Sequence, residues 1–144
     1  MTKIETEIVI KKTKEAIMSL FKDIEKFPEF MKFVKEIKLI ENSDSRVLSK
    51  WNIDLAGAQV NWKQEDIFDE DRSKIKFRMI QGDFKSYEGE WRLNSIPGGT
   101  RVCLKATFDW GIPVLEPHVK NTLERKAKIA LLGMLKAIKK RSEE

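Results

Sequence analysis

From about residue 35 to residue 110 the side chains alternate between apolar and polar, and only short turns interrupt them. That period predicts six strands, at about 35–41, 46–55, 58–69, 73–81, 85–96 and 100–110. The breaks are turn chemistry: Asn42-Ser43-Asp44, Ala56-Gly57, Asp69-Glu70-Asp71, Gly82-Asp83 and Pro97-Gly98-Gly99. Connections this short require neighbouring strands to run antiparallel, as a meander. Lys3–Ile10 alternates in the same way and predicts a first strand. Between it and the meander the period is helical. Thr13 is placed to cap a helix over Lys14–Lys22 that turns Ile17, Leu20 and Phe21 inward, with Ile24 keeping the same period. A second short helix begins at Asp23 or Glu25, with Pro28 in its first turn and Phe27, Phe30, Met31 and Val34 on its apolar face. From about Pro117 to Arg141 runs one long amphipathic helix. An α+β chain with one apolar sheet face must cover that face, and the last helix is long enough to do so. The 144 residues suffice for one domain, residues 1–144, with a sizeable core.

Strand phase assigns the inward side chains. Val47, Ser49, Trp51, Ile53 and Leu55 share a face, as do Val60, Trp62, Gln64, Asp66 and Phe68. Ile75, Phe77 and Met79 follow, then Tyr87, Gly89, Trp91 and Leu93, then Val102, Leu104, Ala106, Phe108 and Trp110. All four tryptophans point inward. Gln64 and Asp66 are polar on an otherwise apolar face. A carboxylate there needs hydrogen bonds, a cation or a proton. The helix stripe of Val119, Leu123, Ala127, Ala130, Leu131, Met134 and Ile138 is rich in small residues, with Gly133 and Ala137 beside it. Such a stripe either lies close on the sheet or leaves room beneath itself, and the residues alone leave both open.

Several chemistries are absent from the sequence. Cys103 is the only cysteine and phases to the outer face, so neither an intrachain disulfide nor a cysteine zinc site can form. His118 is the only histidine and stands at a helix start without a Cys or His partner. The glycine turns lead to no lysine and no helix, unlike phosphate loops. No metal and no cofactor is expected. No apolar run reaches the roughly 20 residues of a membrane span, and Met1–Glu5 carries no signal-peptide core, so a cytoplasmic location is expected. Net charge is +5, and residues 116–144 hold eight basic and four acidic side chains. Two readings of that helix stand: a solvated face with cations near its C-terminus, or a surface for an anionic membrane or a ribosome.

Three segments carry a resemblance. Asp23-Ile24-Glu25-Lys26-Phe27-Pro28-Glu29-Phe30-Met31 resembles the "DIExYPEF" segment of the polyketide cyclase/dehydrase and lipid-transport family, within the START-like superfamily. Gly82-Asp83-Phe84 through Tyr87-Glu88-Gly89-Glu90-Trp91-Arg92-Leu93 is similar to its "GPF…L.G.W.F" strand pair. Pro97-Gly98-Gly99-Thr100-Arg101-Val102 resembles its "GGTRV" hairpin. The match runs in order over about residues 4–140. It implies a helix-grip fold, a bent seven-stranded antiparallel sheet wrapped around the C-terminal helix, with the two short helices after strand 1 and an apolar cavity beneath. Branches of the superfamily include coenzyme-Q-binding proteins, ribosome-association toxins and aromatase/cyclases, and the first two are the nearest in pattern. The aromatase/cyclases carry an inward arginine on the strand aligned with Trp62–Phe68, where this chain has Asp66.

With that resemblance, the expected function is binding or transport of a hydrophobic small molecule such as a quinone, lipid or polyketide-like aromatic. The expected lining is Trp51, Trp62, Gln64, Asp66, Phe77, Met79, Trp91 and Phe108 from the sheet, and Leu123, Ala127, Leu131 and Met134 from the helix. The alternatives are a polyketide cyclase or dehydratase using Asp66 with Gln64 or Tyr87, and a ribosome- or protein-interaction module using the basic helix.

Overall fold

The computed structural model describes residues 2–55, 57–109 and 117–144, the side chains of 117–120 and 123 excepted. Strands β1 (Thr2–Ile10), β2 (Val34–Asn42), β3 (Arg46–Leu55), β4 (Ala58–Asp69), β5 (Lys74–Gly82), β6 (Ser86–Ile96) and β7 (Gly99–Asp109) form one sheet. Its spatial order is β1-β7-β6-β5-β4-β3-β2, antiparallel throughout and curved. Helix α1 (Lys14–Lys22) and a 3₁₀ helix (Ile24–Glu29) follow β1, and α2 (Pro117–Glu143) closes the chain.

Local chemistry accounts for most boundaries. The Thr13 hydroxyl oxygen accepts from the Ala16 N–H at 3.3 Å and caps α1. The second short helix is 3₁₀ rather than α and stops at Glu29. Pro28 lies near its end and has no N–H to continue an α ladder. Met31 and Val34 therefore do not sit on that helix, yet both are buried, in the connection and at the start of β2. Ser73, at φ 52°, completes the turn after β4 and delays β5 to Lys74. Bulges shift the register at Lys35 and Ile40 in β2 and at Ile80 in β5, which bends the sheet and turns Ile40 and Ile80 out.

Alternation places the inner face as expected. Val47, Ser49, Trp51, Ile53 and Leu55 are all buried, and so are Val60, Trp62, Gln64, Asp66 and Phe68. From α2 the core receives Leu131, Met134, Leu135 and Ile138. Leu135, which the sequence stripe omits, is fully buried. Gly133 faces open space, since a Cβ there would meet nothing within 4 Å. It is therefore neither a close contact nor a cavity wall. Helix α2 runs along β1: Glu124 accepts from the Thr2 hydroxyl, Lys139 Nζ donates to the Val9 carbonyl at 2.7 Å, and Glu143 accepts from the Lys11 N–H at 2.8 Å.

One close approach fixes the middle of the sheet. Gly89 lies opposite Phe77, and a Cβ on it would fall on the Lys105 carbonyl oxygen, 2.7 Å from Phe77 Cζ and 2.9 Å from Ala106 Cα. Gly89→Ala is expected to destabilise the protein by roughly 1–3 kcal/mol through overpacking against backbone. Urea unfolding measures this, and a wild-type midpoint would remove the steric argument.

Candidate functional site

The interior polar groups descend one face of β4. Across the β3–β4 pair, Trp51 stands opposite Trp62, Ser49 opposite Gln64 and Val47 opposite Asp66. The two indoles stack at 5.4 Å between centroids and 14° between planes. Trp62 Nε1 donates to Gln64 Oε1 at 2.8 Å. The Gln64 amide nitrogen then faces Asp66, 3.0 Å from Oδ1 and 3.2 Å from Oδ2. Trp51 Nε1 donates to Ser49 Oγ at 2.9 Å. The Trp51 and Trp62 indole N–H groups are thus satisfied within the sheet.

Aromatic contacts close a ring around this pair. Phe21 touches Phe27, Phe27 touches Trp51, Trp51 stacks on Trp62, and Trp62 meets Tyr87. Tyr87 touches Phe77, Phe77 touches Trp91, and Trp91 returns to Phe21 at 4.8 Å. Burial in this setting pushes the Asp66 carboxyl from 3.8 up to about 7. The Gln64 hydrogen bonds oppose that rise and the Glu65 charge adds to it. Burial, then the Asp66 charge, pushes the Tyr87 phenol upward, so it keeps its proton at neutral pH.

Two cavities meet at this ring. One, of about 50 Å³, lies between the sheet and α2; Ile53, Leu55, Phe33, Phe84, Phe108, Ala127, Ala130 and Leu131 are among its walls. The other, of about 20 Å³, holds Gln64 and Asp66 among Phe21, Phe27, Phe77 and Trp91. Trp51, Tyr87 and Met134 wall both. By volume they admit a few waters and about one water. The described interior is therefore mostly packed, with hollows under the small residues of α2. A ligand of roughly 300 Å³ or more enters only if a wall moves. A larger hollow of about 660 Å³ on the outer face is open to solvent and flanked by ion pairs such as Lys74–Glu90 at 3.3 Å and Lys105–Glu5 at 3.5 Å.

The expected lining residues divide accordingly. Trp51, Trp62, Phe108, Ala127, Leu131 and Met134 wall the larger cavity, and Gln64, Asp66, Phe77 and Trp91 wall the smaller, with Trp51 and Met134 common to both. Met79 is half-buried opposite Gln64 and lines neither. The Leu123 side chain and Trp110 lie outside the described residues. Phe33 and Phe84 were missed because they stand in connections, where alternation is silent. Backbone ties place them: Phe33 O accepts from Asp54 N at 2.7 Å, and the Asp83 N–H donates to Asn61 O at 3.0 Å. Their sequence signal is an aromatic residue inside a turn.

Residues 10–131 match the family described as "Polyketide cyclase / dehydrase and lipid transport". The chain belongs to that family. No curated protein sequence matches it. Among solved structures, TTHA0849 from Thermus thermophilus is 26% identical with TM-score 0.92, over 98% of this chain and 97% of that one. The Zhui aromatase/cyclase from Streptomyces sp. R1128 is 16% identical with TM-score 0.90, over 99% and 93%. A STAR-related lipid transfer protein from Xanthomonas axonopodis is 12% identical with TM-score 0.83, over 99% and 86%. The last two establish the shared helix-grip fold.

Within this polyketide cyclase/dehydrase and lipid-transport fold, no arginine, lysine or histidine lines either cavity among the described residues. No described group of three or more His, Cys, Asp or Glu side chains is placed to hold a metal, and no described helix is long and apolar enough to cross a membrane. Cys103 lies outward, with Glu7 within 3.5 Å of its thiol, and burial raises its pKa. The basic end of α2 is partly engaged in docking. Lys139 holds Val9 and Glu143, and Arg141 sits over the Phe30 ring at 5.2 Å and 3.8 Å from Glu29. Lys126, Lys128, Lys136 and Lys140 stand exposed, as a solvated helix face requires.

The raised Asp66 pKa sets a pH dependence of known sign. The protonated form is the one the fold prefers, so its stabilising share is complete below 3.8 and is lost as pH rises through about 7. Relative to Asp66→Asn, the wild type should lose stability between about pH 4 and about pH 7, by up to roughly 4 kcal/mol. Chemical denaturation of both proteins across that range measures the gap; parallel curves would refute a buried neutral carboxyl.

Proposed function

We propose that this protein binds an apolar small molecule, of the quinone, lipid or polyketide-like aromatic kind, between the sheet and α2. The observation that carries the reading is the apolar hollow beneath Ala127 and Ala130, set directly against the Gln64–Asp66 pair. Family membership supports it. Affinity comes from apolar surface removed from water, about 25 cal/mol per Å², less the cost of moving the walls and ordering the ligand. Trp51 and Trp62 line the hollow and serve as built-in fluorescent reporters. Native mass spectrometry of protein purified from cells, and titration with a quinone and lipid panel, should reveal a bound ligand. Ala130→Phe fills the hollow and should weaken binding about tenfold, near 1.4 kcal/mol; unchanged affinity would move the site elsewhere.

A second reading is a cyclase or dehydratase, favoured by a carboxyl raised to about 7 beside Tyr87 in a water-poor site. Asp66 then moves the proton, and Gln64 or Tyr87 orients a ketone. Asp66→Asn should lower turnover of a polyketide-like substrate by roughly a hundredfold or more while binding survives. An unaltered rate would take Asp66 out of the chemistry.

A further inference from the structure

We infer that the two cavities are halves of one site divided by Met134, and that its ligand brings a neutral oxygen, a ketone or hydroxyl, to the Gln64–Asp66 end rather than a carboxylate or phosphate. The inference rests on the binding reading above and specifies the chemical class that the site accepts.

Continuity follows from the walls. Trp51, Tyr87 and Met134 face both hollows. Trp51 is held by its stack on Trp62 and its bond to Ser49. Tyr87 is wedged among Trp62, Phe77 and Phe84. Met134 is the unbranched, flexible member of the three and the one most easily displaced. Moving it opens the apolar hollow onto the polar pair.

The preference for a neutral head follows from charge. No described residue on either wall is basic, so an anion would lose its water without gaining a counter-charge and would face Asp66. A cation would have to shed its water and pass a hollow whose described walls offer it no carboxylate, then hold Asp66 ionised in an apolar ring. A neutral carbonyl requires neither. It accepts the proton that Asp66 holds below about pH 7, while the Gln64 amide, fixed by Trp62, keeps its bonds to the carboxyl. The described walls supplied by α1, the 3₁₀ helix, β3, β5, β6 and α2 contribute one other titratable group, Tyr87. Glu65, on the opposite face and bonded to Arg46 and Arg78, is the other charge that acts on Asp66.

The test is a matched series sharing one apolar body: acetylnaphthalene, ethylnaphthalene, naphthoate and naphthylmethylamine, titrated against the wild-type protein by tryptophan fluorescence at about pH 6 and about pH 8. Acetylnaphthalene should bind about tenfold or more tighter than ethylnaphthalene and naphthoate at the lower pH. That margin should shrink at the higher pH, and Asp66→Asn should hold it constant. The Met134 methyl resonance should shift when acetylnaphthalene binds. Equal binding of the hydrocarbon overturns the inference but leaves apolar binding standing. Tightest binding of naphthoate, or of the amine, overturns it in favour of a charged head. A pH-independent margin in the wild type, or an unmoved Met134 methyl, also overturns it. If none of the four binds, the binding reading falls as well.

Discussion

The stack of Trp51 on Trp62 is the constraint from which the interior is built. It joins β3 to β4 across an antiparallel pair, and its partners then follow by elimination. An indole N–H can only donate, and for each member of this pair the side chain two residues along the same face presents the acceptor. For Trp62 that is the Gln64 carbonyl oxygen, and for Trp51 the Ser49 hydroxyl. Once the Gln64 oxygen is committed, its NH₂ group has one direction left, toward Asp66. The orientation of an amide and the environment of a carboxyl thus descend from the placement of two tryptophans.

This arrangement explains why the interior carries a carboxyl without carrying a charge at low pH. Gln64 satisfies acceptor positions on Asp66, but an amide offers only partial charge, and burial outweighs it. On the other face of the same strand Glu65 shows the contrast. Arg46 and Arg78 donate to it at 2.7 and 2.8 Å, and those hydrogen bonds hold its pKa below the ordinary value. Adjacent residues on β4 therefore hold opposite protonation preferences because they face opposite sides of one sheet.

Much of this was legible in the sequence. Period-two alternation put Ser49, Gln64 and Asp66 on the inner face because strand geometry leaves a side chain two directions only. The Thr13 cap and the turns were legible because they depend on a few adjacent residues. Glu65 was not: its burial depends on Arg46 from β3 and Arg78 from β5, which only strand register brings together. Leu135 was missed because the small residues drew the stripe toward Ala130 and Gly133, whereas the packed face turns through Leu131, Leu135 and Ile138. The choice between packed core and roofed cavity was not legible either, because it depends on how near α2 settles to the sheet. The family resemblance supplied the fold, and the walls of the hollows show both tendencies at once.

The course of α2 along β1 has a consequence for solubility. β1 and β2 are the two ends of the sheet, and an unpaired strand end is a template for self-association. At the end of β1, Lys139 occupies the Val9 carbonyl, and just past the strand Glu143 holds the Lys11 N–H, so two backbone groups at that end are already engaged. At β2, two bulges break the regular spacing, and Lys35, Glu36, Lys38 and Glu41 stand exposed along it. The helix that roofs the interior thus also guards the sheet against aggregation, a duty borne by its basic tail and its final acidic residues.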